Sequence, residues 1–378
     1  QGEPTLTPSD RALHDRARES ARAGRYAEAK TLLGRLAVAY PESDVLVAQY
    51  NAVVARMEAA QAEAKAELEA APPTALPAPP AKYTLAREAT VPDPVVPKLA
   101  KVSEKKNQIT DDAAWFAKNG LSLPLYYVPP RGHVLFAPGA VRTRTVVDTL
   151  SGFAFTEYEP AARFLRTPLP LEIPLRYGTA PLRHAIDSGA YRIALYGGAF
   201  VAVFDAATRK RVALLDLDAY AHPPADRTGT VKFGEATLTT PEGTQRADLV
   251  GRTHTVTHDI RFALADAGVL YVAHANGSSA KDNRGQNGYV SAIDLASKQL
   301  LWRSAPLVAN ANNFALVRGA LVTGYGFSGE PDFVHVLERR TGKVAQKIPV
   351  PTGPEELVPK DGRLFVRTYD TDLVFDLR

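Results

Sequence analysis

The 378-residue sequence predicts a mainly β protein, a six- to seven-bladed β-propeller preceded by a short all-α segment. Three observations lead there. Residues 1–71 are dominated by Ala, Arg, Glu and Leu, the composition of amphipathic helices. Residues 72–100 carry eight prolines, a density that suits neither a helix nor a central strand. From 101 to 378, short apolar and β-branched runs alternate with Gly, Pro, Asp and Asn turns, and no ten-residue helical period interrupts them.

In the helical segment, Ser9 or Asp10 caps a helix that reaches Ala23, and Gly24 ends it. A second helix runs from Tyr26 to Tyr40 and is closed by Pro41. Ser43 or Asp44 caps a third that continues through Val45, Tyr50, Val54 and Leu68. Leu32, Leu33, Leu36, Val47 and Tyr50 are expected on the inner face and are the candidate docking residues. The spacing Gly24-x-Tyr26-x-x-Ala29, with Pro41 twelve residues after the Ala, resembles the second half of a tetratricopeptide (TPR) repeat over about 34 residues. The first helix departs from that pattern, with Ala17 and Ser20 where a small and a bulky residue are usual. Only one and a half units are present, and such solenoids need about three to stand alone. The resemblance therefore implies packing on another domain, self-association, or stacking on a partner's helices.

The proline-rich stretch, 72–100, reads as a semi-rigid polyproline II linker. Within it Lys82–Val91 is proline-free and alternating, and it is the candidate strand for closing a ring from upstream.

The β region, 101–378, contains a recurring hairpin: an apolar strand, an acidic residue at its end, two spacers, then Thr or Ser before Gly or a base. It occurs at Asp148, Asp205, Asp294 and Glu338, with a truncated copy at Asp376, at spacings of 57, 89, 44 and 38 residues. The acidic side chain is expected to accept backbone N–H bonds two or three residues on, and a glycine to take the positive φ that closes the turn. The 89 is about twice 44, which implies an unmarked unit between Asp205 and Asp294. Six units are then visible, with room for a seventh before Asp205. Repeats of ~40 to 50 residues built from four strands mark a β-propeller. The segments YVSAIDLASKQLLW, ending at Trp302, and FVHVLERRTGKV resemble the PQQ-like (quinoprotein-type, BamB-like) propeller repeat over most of the β region. That resemblance implies either a quinone-cofactor dehydrogenase or a non-enzymatic scaffold. The dehydrogenases resemble one another in a vicinal cysteine pair, an eight-bladed ring and a Trp in nearly every blade, whereas this chain has no Cys and one Trp within the motifs. The scaffold branch follows, with no cofactor.

Composition narrows the functions further. The absence of cysteine excludes disulfides, thiol catalysis and Cys-based metal sites, and suits an oxidising compartment. The sequence opens on Gln1 with no leader, as expected after signal-peptide removal, so a periplasmic, cell-surface or secreted location is expected. No run reaches the ~18 apolar residues of a spanning helix. The net charge of +4 is spread without a Lys/Arg cluster interleaved with aromatics, so no nucleic-acid partner is expected. His254 and His258 lie four apart, but Thr255, Val256 and Thr257 favour a strand, in which four residues span roughly 13 Å. With His274 they read as ordinary sheet histidines, and no metal is assigned. Glu355/Glu356 and Asp370/Asp372 read as turn-bonded acids, and no catalytic residue is assigned.

Two adjacent units carry long connections between their second and third strands, from Ala273 to Tyr289 and from Thr323 to Phe333. Loops on a rigid scaffold are where binding groups reside. The candidate binding surface is Asn276, Asp282, Asn283, Arg284, Asn287, Tyr325, Glu330 and Asp332. The expected function is a protein-binding scaffold or adaptor in a multi-protein envelope or cell-surface assembly. The alternatives are a propeller-type hydrolase or lyase, or a carbohydrate-binding module, acting at the axial channel.

Overall fold

The computed structural model describes residues 5–378 except 81, 108–111, 123–125, 128–141, 148–153, 160–169, 171, 198, 222–228, 231–234, 241–242, 249–252, 255–257, 277–278, 281–284 and 328. The protein is mainly β, with several sheets and few helices. It divides into two compact units: Gln1–Pro72 with Asp111–Asp187 and Phe204–Arg211, and Pro73–Thr110 with Ser188–Val203 and Val212–Arg378. No helix among the described residues is long and apolar enough to cross a membrane.

In the first unit, helix α1 spans Pro8–Arg22, α2 Tyr26–Ala39 and α3 Asp44–Glu69. The cap of α1 is Thr7, two residues before the expected Ser9: its side chain accepts from the Asp10 N–H at 3.2 Å. Pro8 explains the shift, because a fixed φ and a missing N–H suit the first helical position. Gly24, at φ +74°, ends α1, and Ser43 caps α3 by accepting from the Leu46 N–H. Leu32, Leu33 and Leu36 are buried with Ala17, Ala29, Leu46 and Val53 in one core, and Tyr50 packs against it half-buried. Val47 is a correction: it is 38% exposed, and Leu46 with Val53 holds the inner stripe of α3. Residues seven apart share a helix face, and one step of 100° carries Val47 away from it. The end of α3 is tied within this unit, where Glu69 accepts from the Gly178 N–H at 2.6 Å and the Leu68 carbonyl accepts from Arg211 at 2.6 Å.

The second unit is built of antiparallel meanders. One sheet runs Asp259–Asp266, Val269–Ala275, Tyr289–Asp294, Leu300–Arg303, and the next runs Ala315–Val317, Ala320–Tyr325, Asp332–Glu338, Val344–Val350. The last runs Pro354–Lys360, Arg363–Thr368, Thr371–Leu377. The part of an earlier sheet that belongs to this unit includes Tyr191–Tyr196, residues 200–203 and residues 212–216 in the same sequential order. Among the described residues between Asp205 and Asp294, where a further unit is expected, Glu235–Thr240 pairs with Gly243–Asp248, and Gly229–Thr230 pairs with Thr253–His254.

The repeated acidic turn recurs in atomic detail. Asp205 Oδ1 accepts from the Thr208 N–H at 2.7 Å and hydroxyl at 2.9 Å; Asp294 Oδ1 accepts from the Ser297 N–H at 2.6 Å and hydroxyl at 2.7 Å. Glu338 accepts from the Thr341 hydroxyl at 2.7 Å. The copy at Asp148 lies outside the described residues. The residue at positive φ is Arg209 (62°), Lys298 (60°) and Gly342 (73°), so glycine is not what the turn itself requires. Gly342 answers to a different constraint. A Cβ there would sit 2.3 Å from Trp302 Cε3, because the indole lies against this turn and donates Nε1–H to the Arg339 carbonyl at 2.9 Å.

Residues 73–110 belong to the second unit, and short segments of them pair with the outer strands of three of its sheets. Thr74–Ala75 pairs in parallel with Leu215–Asp216. Thr84–Leu85 pairs antiparallel with Trp302–Arg303, and the Ala86 and Arg87 amides both donate to the Leu301 carbonyl. The Ala89 N–H then donates to the Arg340 carbonyl, the Gly319 N–H donates to Val95, and Leu99–Lys106 pairs along the whole of Thr371–Leu377. The strand that completes the last sheet is thus Leu99–Lys106 rather than Lys82–Val91. Its end is clasped by Lys106 on Asp370 at 2.5 Å, with Thr352 and Thr371 hydroxyls donating to the same carboxylate at 2.8 Å.

Candidate functional site

The two long loops of the second unit follow Val269–Ala275 and Ala320–Tyr325, the second strands of neighbouring meanders. Of the eight candidate residues, Asp282, Asn283 and Arg284 lie outside the described residues. Asn276 and Asn287 are buried, and their roles are internal: Asn287 Oδ1 accepts from the Asn276 N–H at 2.9 Å and the Gly288 N–H at 2.8 Å. An amide side chain carries both donor and acceptor, so it closes a loop neck where a backbone partner is missing. The Asn287 carbonyl accepts from the Leu307 N–H at 2.6 Å, tying this loop to the segment that leads into the next sheet.

Tyr325, Glu330 and Asp332 come together on the second loop. Glu330 is the bridge: one carboxylate oxygen accepts from the Ala280 N–H of the first loop, and the other accepts from the buried Tyr325 hydroxyl at 3.3 Å. Burial and the neighbouring acids Glu330 and Asp332 push the Tyr325 hydroxyl far above its ordinary range, so it remains a donor. Asp332 accepts from the Phe327 N–H at 2.9 Å, and burial raises its carboxyl above the usual value, assisted by the charge of Glu330. Gly326 is required here, since a Cβ would meet Asp332 Oδ1 at 2.2 Å. Asn310 pins the same glycine from the preceding loop, accepting from its N–H at 3.0 Å and donating to its carbonyl at 2.6 Å. Among the described residues, Glu330 thus ties Ala280 of the first loop to Tyr325 of the second, and Asn310 ties Gly326 to the segment that leads into this sheet.

A second polar group gathers two of the histidines read from the sequence as ordinary sheet residues. His258 and His274, both buried, approach through Nδ1 atoms 3.2 Å apart. Both rings stack on Tyr289, at centroid distances of 5.9 and 5.4 Å. The Arg303 guanidinium lies 3.6 Å over the Tyr289 ring and donates to the carbonyls of Pro79 and Pro80, so the stack reaches the proline-rich stretch. His274 and Tyr289 are directly opposed in the sheet, 15 residues apart across a hairpin. The usable signal was this cross-strand pairing, not the spacing from His254 to His258. Among the described residues no group of three His, Asp or Glu side chains is placed to hold a metal ion.

No protein-family description matches the chain, and no curated protein matches it. Among solved structures, BamB from Moraxella catarrhalis is similar over 74% of this chain and 98% of its own, at 12% identity and a TM-score of 0.27. A computationally designed protein is similar over 54% of this chain and 96% of its own, at 11% identity and a TM-score of 0.31. The quinohemoprotein alcohol dehydrogenase ADHIIG from Pseudomonas putida is similar over 48% of this chain and 27% of its own, at 15% identity and a TM-score of 0.29. Likenesses of this size assign no chemistry to the chain.

Proposed function

We propose that the second unit is a β-propeller and that the protein is a non-enzymatic scaffold, binding another protein within an envelope or cell-surface assembly. Support for the propeller comes from consecutive four-stranded meanders, the turn repeated at Asp294 and Glu338, and the completion of the last sheet by the upstream strand Leu99–Lys106. Propellers close their rings in this way and so protect their sheet edges. The absence of cysteine suits an oxidising compartment.

The observation that carries the binding reading is the Glu330 bridge, which joins two neighbouring long loops into one braced surface of Gly, Asn, Tyr and acidic residues. The helical segment contributes as a second docking element. Since Leu32, Leu33 and Leu36 are committed to its own core, its docking face is the one carrying exposed Val38 and Val47.

The test is co-purification of the tagged full chain from its native source under gentle extraction, beside Glu330→Ala and Val47→Asp variants. Stoichiometric partners that are lost with one variant and kept with the other support the scaffold and assign the surface. A chain that purifies alone, and instead turns over a polysaccharide or lactone substrate, overturns it in favour of a propeller hydrolase or lyase.

A further inference from the structure

We propose that the seat of Leu76–Pro80 on the second unit is a polyproline-binding site, filled in the free chain by its own segment and taken by a partner's proline-rich segment when the two compete. This rests on the scaffold reading and names a partner chemistry for it.

The conformation of the segment follows from its covalent structure. In Leu76-Pro77-Ala78-Pro79-Pro80 every residue is a proline or precedes one. A proline ring fixes φ at about −65°, and the residue before a proline is driven out of the helical region into extended backbone. Both constraints converge on polyproline II, which has about three residues per turn. Burial follows that period: Leu76 and Pro79, three apart, are buried, while Pro77, Ala78 and Pro80 are exposed. A strand would bury alternate residues instead.

The seat matches the polar groups that such a segment presents. Prolines carry no N–H, so Pro79 and Pro80 offer only carbonyl acceptors, and a guanidinium offers only donors. Arg303 donates to the Pro79 carbonyl at 3.4 Å and also to the Pro80 carbonyl. Its guanidinium is backed by the Tyr289 ring at 3.6 Å, and both residues are buried. At the upstream end the Leu76 N–H donates to the Asp216 carbonyl at 3.0 Å. Aromatic side chains and fixed donors are how proline-rich ligands are recognised, and a preformed helix loses little entropy on docking.

The segment is also lightly held. Among the described residues it is flanked by pairings of two positions each, Thr74–Ala75 on Leu215–Asp216 and Thr84–Leu85 on Trp302–Arg303, whereas Leu99–Lys106 pairs at seven positions. The occupant on the seat defines the competitor: a Leu-Pro-x-Pro-Pro segment of another protein, with its two apolar anchors one turn apart.

The experiment is fluorescence anisotropy with a labelled, capped Thr-Ala-Leu-Pro-Ala-Pro-Pro peptide, titrated with the full chain and with full-length variants whose own segment is loosened, Pro79→Ala and the double variant Leu76→Glu with Pro79→Glu. Far-UV circular dichroism follows the fold of each. The expected result is binding that strengthens in the order wild type, single variant, double variant, at least tenfold overall. A control peptide with Gln in place of Leu and of the middle Pro should not bind. In the double variant, Arg303→Lys keeps the charge but loses the planar fork, and should lower the affinity about tenfold. No binding to the folded variants, equal binding of the control peptide, equal affinity for the wild type, or indifference to Arg303→Lys would each overturn the proposal. Unfolding of both loosened variants would overturn it as well, because a segment open to exchange cannot be required for the fold. None of these outcomes alters the co-purification result at the loop face, so the two readings fail separately.

Discussion

Replacing Gly342 by alanine tests why one copy of the repeated turn carries glycine and the others do not. At this φ of 73° an alanine costs about 1–2 kcal/mol for the left-handed conformation. Its Cβ would also lie 2.3 Å from Trp302 Cε3 and 2.7 Å from Cδ2, in an indole that is fully buried and tethered through Nε1. Overpacking against a side chain that cannot retreat costs about 1–3 kcal/mol more, so a total of about 2–5 kcal/mol is expected. Arg209→Gly and Lys298→Gly occupy the same turn position without the indole and should change stability by less than about 1 kcal/mol. The assay is urea unfolding followed by far-UV circular dichroism, with Trp302→Ala alone and combined with Gly342→Ala. Removing the indole should cost about 3–5 kcal/mol by itself. In that background only the backbone part of the Gly342→Ala cost should remain. A cost below about 0.5 kcal/mol for Gly342→Ala, or the same cost with and without Trp302, would refute the packing argument.

Two further outcomes concern pH. Burial, with a smaller contribution from Lys347, lowers His335 from 6.5 to about 4, so the folded state favours the neutral ring. Its contribution is complete above pH 6.5 and is lost as pH falls toward 4, by about 3 kcal/mol in all; His335→Gln should flatten that part of the stability curve, and an unchanged slope would contradict it. Asp370 is lowered from 3.8 to about 2, first by its bond from Lys106 and then by Thr371 and Thr352. The clasp is therefore complete above pH 3.8 and is lost as pH falls through 2. Asp370→Asn should remove this last acid-dependent step and speed hydrogen exchange along Leu99–Lys106, whereas unchanged exchange there would separate the clasp from the strand it is held to secure.

What was legible in the sequence was local. The acidic turns at Asp205, Asp294 and Glu338 are set by contacts within a few residues, so spacing alone revealed them. The residue at positive φ misled, because Arg209 and Lys298 adopt it and glycine is demanded only where Trp302 intrudes. The course of the proline-rich stretch was hidden because each of its partners lies more than 130 residues away, as Thr84 does from Arg303. In the candidate site, the two long loops were visible as Gly- and Asn-rich insertions. Which of their polar residues brace and which face outward was not, since an amide such as Asn287 suits both roles until its partners are known. Helix α3 places few large apolar residues among many alanines, and this made Val47 and Leu46 interchangeable on pattern.

The central claim, a scaffold that binds protein through its braced loops, is tested most directly by crosslinking the tagged full chain to its neighbours at native abundance and mapping the crosslinked positions by mass spectrometry. The account predicts crosslinks from a single stoichiometric protein converging on residues 276–288 and 325–332, reduced in the Glu330→Ala variant. Crosslinks that avoid both loops, or that are unchanged when the Glu330 bridge is cut, would contradict it.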